Sequence, residues 1–300
     1  MEDFAIIGSG PAGLAAAQFI ARAGHAPLLL EGPVPGGQIV SLPRLDNVPG
    51  FPDGIEGWDL ADRYRRGAEL AGARFSPATV LSLAPRSPSG AVLSLSDGTS
   101  LEAARVIIAT GIRSRPAGLP GEEALVGRGV SYCVPCDAPL YRGRDVLLLG
   151  DGPSALGAAA QLSRIVRRVT FLCLAPSLPD AARLRAEKLD NVTILLDAKP
   201  VAFETDADGA LSGVRLSGGA VLPAPALFVS RGATPATSFA PDLARDARGY
   251  LADAAALPPG VFAAGDVATP FLHQVAVAAA SGIRAARAAL RFVPTAPLSP

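Results

Sequence analysis

Short apolar runs closed by glycine, each leading into an alanine-rich stretch with helical spacing, set the rhythm of this chain. Phe4–Ile7 reads as a strand, Gly8 to Gly13 as a tight turn, Leu14–Ala23 as a helix and Leu28–Leu30 as a second strand, which together make a β-α-β unit. The pattern recurs at Asp145–Leu149, turns through Gly150 to Gly152, runs helically from Ser154 to about Ile165 and returns as Val169–Leu172. Between the two units, Thr79–Leu83 and Ala91–Leu95 flank a Pro/Ser/Gly turn and predict a hairpin, followed by an apolar strand over Val106–Gly111. Beyond the second unit, Val201–Glu204 and Gly213–Leu216 predict another hairpin, Ala226–Val229 a strand, Gly260–Asp266 a strand ending at a ligand site, and Gln274–Leu290 a long helix. Three prolines in Pro294–Pro300 predict an extended tail.

Three hundred residues can bury more than one core, so two domains, or one inserted in another, is the expected organisation. Basic and acidic residues balance at 27 each, which leaves no electrostatic footprint for nucleic acid and no polybasic face for membranes. No uncharged apolar run reaches the ~18 residues of a membrane span. The first residues enter a strand without a basic leader, so a cytoplasmic location is expected. Three cysteines are too few for a disulfide framework.

Gly8, Gly10 and Gly13 form G-x-G-x-x-G between a strand and a helix, with Glu31 closing the next strand 18 residues later. Glycines there permit a tight turn, close approach of a pyrophosphate and tight helix packing, while the helix start favours the anion. Glu31 suits the hydroxyls of an adenosine ribose. Dinucleotide binding follows, although the motif alone does not separate FAD from NAD.

Cys133 and Cys136 form C-x-x-C, which can close a disulfide or supply half a zinc site. Zinc needs two more ligands, and only Cys173, His25 and His273 remain, widely scattered, so no metal is expected. Asp137, adjacent to the pair, is placed to carry a proton during thiol exchange. Cys173 at a strand end reads as a packing residue.

In order, the segments GSGPAG, Gly36–Gln38, Asn47 to Gly50, IIATG, SYCVPCD and GVFAAGD resemble the low-molecular-weight thioredoxin reductases over nearly the whole chain. The resemblance implies an α/β fold of two Rossmann-like, three-layer ββα dinucleotide-binding domains, the second inserted into the first. Residues 1–112 and 237–300 would bind FAD, and 113–236 would form the NADPH-domain-like insert carrying the redox centre. It further implies FAD contacts from Gly8, Gly10, Pro11, Ala12, Gly13, Glu31, Gly37, Gln38, Asn47, Ala109, Thr110, Gly111, Gly265 and Asp266. His273, in place of the family's usual arginine, would meet the flavin pyrimidine edge with Gln274 and Val275 at the start of the last helix. Cys136 would face the flavin, Cys133 would exchange with substrate, and Asp137 would serve as acid and base. Hinges are implied near Ile112–Pro116 and Ala233–Ser238, and a homodimer is expected.

The second glycine cluster, Gly150 to Ala155, departs from the pattern. The family clamps the NADPH 2′-phosphate with arginines just past the following strand, where this chain has Cys173, Leu174, Ala175, Pro176 and Ser177. Asp151 adds a negative charge to the loop, and Arg231 would crowd a nicotinamide. Arg167 and Arg168 read as caps of the preceding helix. Efficient use of NADPH is therefore not expected. Similarity then extends to the deeply rooted cyanobacterial and ferredoxin-dependent flavin thioredoxin reductases, with ferredoxin as donor and a thioredoxin-like protein or small disulfide as acceptor. The alternatives are an NADPH-dependent thioredoxin reductase, an oxygen-dependent dithiol oxidase of the gliotoxin type, and a non-catalytic flavin redox sensor.

Overall fold

The computed structural model describes residues 1–42, 44–175, 189–251, 256–268 and 272–293. It divides into two compact units, Met1–Arg113 with Thr234–Pro300, and Ser114–Ala233. The tail Pro294–Pro300 and the positions Pro176 and Ser177 lie outside the described residues.

The first unit begins with β1 (Glu2–Ile7), α1 (Pro11–Arg22), β2 (Leu28–Leu30), α2 (Gly57–Ala71), β3 (Arg74–Ser76), β4 (Val80–Pro85), β5 (Ala91–Leu95) and β6 (Ser100–Ile108). The chain leaves it through β7 (Ile112–Ser114). The second unit holds α3 (Glu122–Leu125), β8 (Val130–Ser131), α4 (Val134–Asp137), β9 (Asp145–Gly150), α5 (Gly152–Leu162), β10 (Arg168–Cys173), β11 (Val192–Leu196), β12 (Pro200–Thr205), β13 (Leu211–Leu216), β14 (Val221–Pro223) and β15 (Leu227–Ser230). The chain returns through β16 (Ala233–Pro235), which pairs with β7, and ends in β17 (Val261–Ala263) and α6 (Val275–Arg291).

The first sheet runs β3-β2-β1-β6-β5-β4. Strand β6 pairs parallel with β1 along one edge, and its other edge serves two neighbours: Ser100–Ala103 pairs antiparallel with β5, and Val106–Ile108 pairs parallel with β17. For this reason β6 starts six residues before the apolar run suggests, while Ala109 to Gly111 lie beyond its end. Alternation across the sheet separates two cores. Phe4, Ile6 and Ile107 point to the helix side, against Leu14, Ile20, Ala286 and Ala289. Ala5, Ile7, Val106 and Ile108 point to the other side, against Val80, Leu83 and Leu93.

The second unit's main sheet, β11-β10-β9-β15-β8, is parallel throughout. Leu148 and Phe171 pack on the α5 side, and Leu147 and Leu149 pack towards the antiparallel layer β12-β13-β14. The second unit therefore stacks a helix layer, a parallel sheet and a further β layer, while in the first the antiparallel end β5-β4 of the one mixed sheet packs over the face opposite α1, the arrangement of paired dinucleotide-binding folds. Among the described residues, no helix is long and apolar enough to cross a membrane.

Candidate flavin site and disulfide centre

In the first unit the glycine loop is dictated by backbone proximity. A Cβ on Gly13 would lie 1.9 Å from the carbonyl oxygen of Gly8, and one on Gly8 would lie 2.6 Å from that of Ala109, with φ at +103°. Neither position tolerates a side chain. The Ser9 hydroxyl is buried, donating to the Glu31 carbonyl at 3.1 Å and accepting the Gly36 amide at 3.1 Å, so the loop is tied to the end of β2 and to the Gly36–Gly37 turn. The N-cap of α1, Gly10, offers no side-chain cap, Pro11 opens the helix, and the first turn holds no acid. Its first amides are thus aimed at an acceptor that the protein does not itself supply.

Glu31 is almost fully buried and pairs with Arg65 of α2. Arg65 also bonds Glu69 and lies 4.3 Å over the Phe75 ring. Sequence reading missed Arg65 because it missed α2 altogether. Gln38 donates through Nε2 to the Ile112 carbonyl at 2.9 Å, and Thr110 donates to the Ala236 carbonyl at 2.8 Å. Asn47 donates to Oε1 of Gln274 at 2.7 Å, so two residues far apart in sequence meet at the start of α6.

That helix start resembles the one at α1: its cap, Gln274, makes no side-chain cap, and its first turn has no acid. His273 Nε2 beside it is buried without a partner. Gly265 opens the turn after β17, its amide held by the buried Ser281 hydroxyl at 2.9 Å, a residue that no motif marks. Asp266 follows, and burial pushes its carboxyl above the ordinary range while nearby His273 draws it partly back. Two uncapped helix starts, a glycine cradle, an orphaned imidazole nitrogen and a ribose-type carboxylate fit FAD. Glu31 would hold the adenosine end, the α1 amides and Asp266 the middle, and His273 to Val275 the flavin pyrimidine edge.

In the second unit Cys133 and Cys136 are joined as a disulfide. Cys133 is the N-cap of α4, whose second residue is Pro135, and Asp137 ends that single turn with its amide bonded to the Cys133 carbonyl at 3.1 Å. Ser131, the last residue of β8, is buried, donates to Asp137 Oδ2 at 2.6 Å and accepts the Cys133 amide at 3.1 Å. Neighbouring Tyr132 donates to Glu122 Oε1 at 2.6 Å, and burial together with that carboxylate raises its phenol. Buried Glu122 also accepts the amides of Ala117 and Gly118 at 2.7 and 2.8 Å. Sequence reading found the cysteines and Asp137 but neither Ser131 nor Glu122, whose partners lie two to ten residues away with no motif to announce them.

The second glycine loop differs from the first. Asp151 is an exposed N-cap of α5, Ala155 is buried where the first loop has Gly13, and Cys173 is a buried free thiol packed in the core. Arg167 does not cap the helix. Its two nitrogens grip Asp145 at 2.8 Å each across the starts of β9 and β10, and Arg168 lies within β10, because the helix ends earlier, at Leu162. Arg231, one residue past β15, donates to the carbonyls of Pro116 at 2.7 Å and Ala117 at 3.2 Å, with Nε buried and unpartnered. Among the described residues no group of His, Cys, Asp and Glu could hold a metal ion.

Known proteins resemble this chain over nearly its whole length. A family model for pyridine nucleotide-disulphide oxidoreductases matches residues 2–282. The chain is 33% identical over 302 residues to a thioredoxin reductase of Treponema pallidum, covering 98% of this chain and 97% of that one. It is 37% identical over 301 residues to the thioredoxin reductase of Streptomyces coelicolor, covering 95% and 92%. Among solved structures, a thioredoxin reductase from Streptococcus pyogenes superposes with a TM-score of 0.90 at 31% identity, covering 97% and 98%.

Proposed function

Because the chain belongs to the low-molecular-weight thioredoxin reductases, FAD-dependent disulfide oxidoreductases with a C-x-x-C centre, we propose that it passes electrons through FAD and the Cys133–Cys136 disulfide to a thioredoxin-like protein, drawing them from a donor other than NADPH. The observation that carries the donor assignment is the end of β10. Where a 2′-phosphate would need cations, the chain offers Cys173, Leu174 and Ala175, followed in sequence by Pro176 and Ser177. Losing two charge-assisted bonds of ~1.5 to 3 kcal/mol each weakens NADPH by about 10² to 10⁴-fold. Asp151 at the α5 N-cap adds a charge of the wrong sign to the loop that would cradle the phosphates. The resemblance to ferredoxin-dependent flavin thioredoxin reductases supports ferredoxin as the donor.

Bound FAD supplies the two-electron carrier that this chemistry needs. The residues of the chain do the exchange. Asp137, as carboxylate, takes the proton of the Cys133 thiol. The resulting thiolate attacks one sulfur of the target disulfide, forming a mixed disulfide, and Asp137 returns its proton to the departing target thiolate. Cys136, as thiolate, then attacks the Cys133 sulfur, releasing the second target thiol with the proton Cys136 has given up. The Cys133–Cys136 disulfide is restored, and two electrons and two protons have left the pair for the target.

The test is anaerobic mixing of the oxidised flavoprotein with NADPH, NADH or reduced ferredoxin, followed at the flavin absorbance. Ferredoxin is expected to bleach the flavin within seconds, and the nicotinamides not at micromolar concentration. Rapid bleaching by micromolar NADPH would sink the donor assignment and leave the disulfide chemistry standing.

A further inference from the structure

The disulfide turn holds a third polar residue that the exchange chemistry above does not use. Ser131 ends β8 with its side chain buried, and a single hydroxyl there serves both halves of the centre. Its proton goes to Oδ2 of Asp137 at 2.6 Å, and its oxygen accepts the backbone amide of Cys133 at 3.1 Å. The Asp137 amide in turn bonds the Cys133 carbonyl at 3.1 Å. These three bonds close a ring that fixes the carboxylate relative to the nucleophile's own backbone, and no sulfur takes part in it. None of its bonds is therefore made or broken directly when the disulfide opens to the dithiol.

We propose that Ser131 is a positioning residue for proton transfer at this centre: its hydroxyl holds the Asp137 carboxylate ionised and aimed at Cys133. The inference rests on the reading of Asp137 as acid and base. A hydroxyl donor stabilises a carboxylate and does nothing comparable for the neutral acid, so it favours the form that accepts the thiol proton. Among the described residues, the ionisable groups near Asp137 include the following. Within the turn they are the two cysteines. From the following 3-10 turn comes Tyr141, whose phenol is raised by burial and by Asp137, with Arg144 acting oppositely. The α5 helix, which packs on α4, carries no ionisable side chain over Gly152–Leu162. Tyr141 stays unchanged in every variant below.

The sign follows directly. Without the hydroxyl, Asp137 protonates at higher pH and its base form is lost sooner on acidification. In single-turnover reactions, dithionite-reduced holoprotein is mixed with bis(2-hydroxyethyl) disulfide, whose alkyl thiolate leaving group needs a proton, so the readout is independent of the physiological donor. In Ser131→Ala the acid limb of the rate profile is expected to move up by about one pH unit, a loss of about tenfold on the limb and little on the plateau. Ser131→Thr, which keeps the hydroxyl, restores the wild-type limb. In an Asp137→Asn background the limb is gone and Ser131→Ala adds nothing to it. As a readout apart from turnover, the infrared band of the protonated Asp137 carboxyl, identified by its absence from Asp137→Asn, appears at higher pH in oxidised Ser131→Ala than in wild type. A merely structural role would lower the plateau or the melting temperature and leave the limb where it was, and that result overturns the proposal. An unchanged limb in Asp137→Asn would overturn the acid–base reading of Asp137 itself, and Ser131 with it. A limb that responds to Asp137→Asn but not to Ser131→Ala overturns the Ser131 assignment alone.

Discussion

The two glycine loops of this chain, GSGPAG at the start and GDGPSA at Gly150, occupy the same place in two similar folds and differ in what they can receive. In the first, Ser9 is turned inward and its hydroxyl is consumed by the Glu31 carbonyl and the Gly36 amide, so the loop presents uncapped amides and no charge. In the second, the residue between the glycines is Asp151, exposed at the helix start. The strand that follows the first ends in buried Glu31 paired with Arg65, whereas the strand that follows the second ends in a buried free cysteine. The same fold therefore presents different charges at its two helix starts. The first loop is electrostatically open to a pyrophosphate, and the second already carries the negative charge that its helix dipole favours.

The strongest way to break this contrast is to fill the first loop. Gly13→Ala places a methyl group 1.9 Å from the Gly8 carbonyl, backbone that cannot swing aside. Purified protein is expected to lose at least about nine-tenths of its flavin by the 450 nm absorbance, consistent with a penalty of several kcal/mol for so close a contact. Ala155→Gly, the matching position in the second loop, should leave flavin content unchanged. Equal loss in both variants would show that the two loops are not functionally distinct.

The next test repairs the second loop. Asp151→Ser with Ala175→Arg removes the misplaced charge and supplies a cation just past β10. One charge-assisted bond of ~1.5 to 3 kcal/mol predicts NADP⁺ binding tighter by about 10 to 100-fold, with a smaller part from Asp151. Calorimetric titration reads the gain, and NAD⁺ is the control that should improve far less. No gain for NADP⁺ over NAD⁺ would mean that charge at these two positions does not set the affinity of the second loop.

How much of this was legible beforehand depended on whether a feature was local. Strands Leu28–Leu30 and Ala91–Leu95 have the limits their apolar runs announce, because each is bounded by glycine, proline or polar turn residues at both ends. Helix α2 was invisible: it buries only Gly57, Leu60, Ala61 and Ala68, between two glycines and a dense run of charges, too thin a stripe to stand out. With it went Arg65, the partner of the one acid the motif did reveal. Strands β7 and β16 are three residues each and exist through pairing with a segment more than a hundred residues away, which no local pattern encodes. Of the disulfide centre, chemistry-bearing types at short spacing were readable, and the ordinary serine that links them was not.

Arg65 offers a test of intermediate size within the first unit. Removing it by Arg65→Ala strands Glu31 as a buried carboxylate and also strips a guanidinium from the Phe75 ring. Because Arg65 itself is about one-third exposed, the loss is expected to be about 1 to 2 kcal/mol of apoprotein stability, below that of a fully buried pair. Denaturant unfolding measures it. In Arg65→Ala/Glu31→Gln most of the loss should be regained, since the uncompensated charge is gone. Failure of the second change to rescue the first would place the cost in packing rather than charge.

The smallest expected effect is a slope. Burial raises the Asp266 carboxyl above its unfolded value, with His273 pulling the other way and Tyr250 nearby as the other group that senses it. A raised folded value means that the native state holds this proton more tightly than the unfolded chain does. The stabilisation is therefore complete below the ordinary carboxylate range and is lost as pH climbs through the folded value. Apoprotein melting temperatures of wild type and Asp266→Asn, compared from about pH 4 upward, should diverge steadily: the asparagine variant, with nothing to ionise, gains relative to wild type until Asp266 is fully charged, then holds a constant lead. If Asp266 meets a hydroxyl-bearing part of FAD, as proposed, the lead should shrink in the holoprotein, because a hydrogen bond to the carboxylate favours its charged form. A pH-independent difference between wild type and Asp266→Asn would mean that Asp266 enters the native state already ionised and satisfied, and would remove it from the electrostatics that distinguish the first loop from the second.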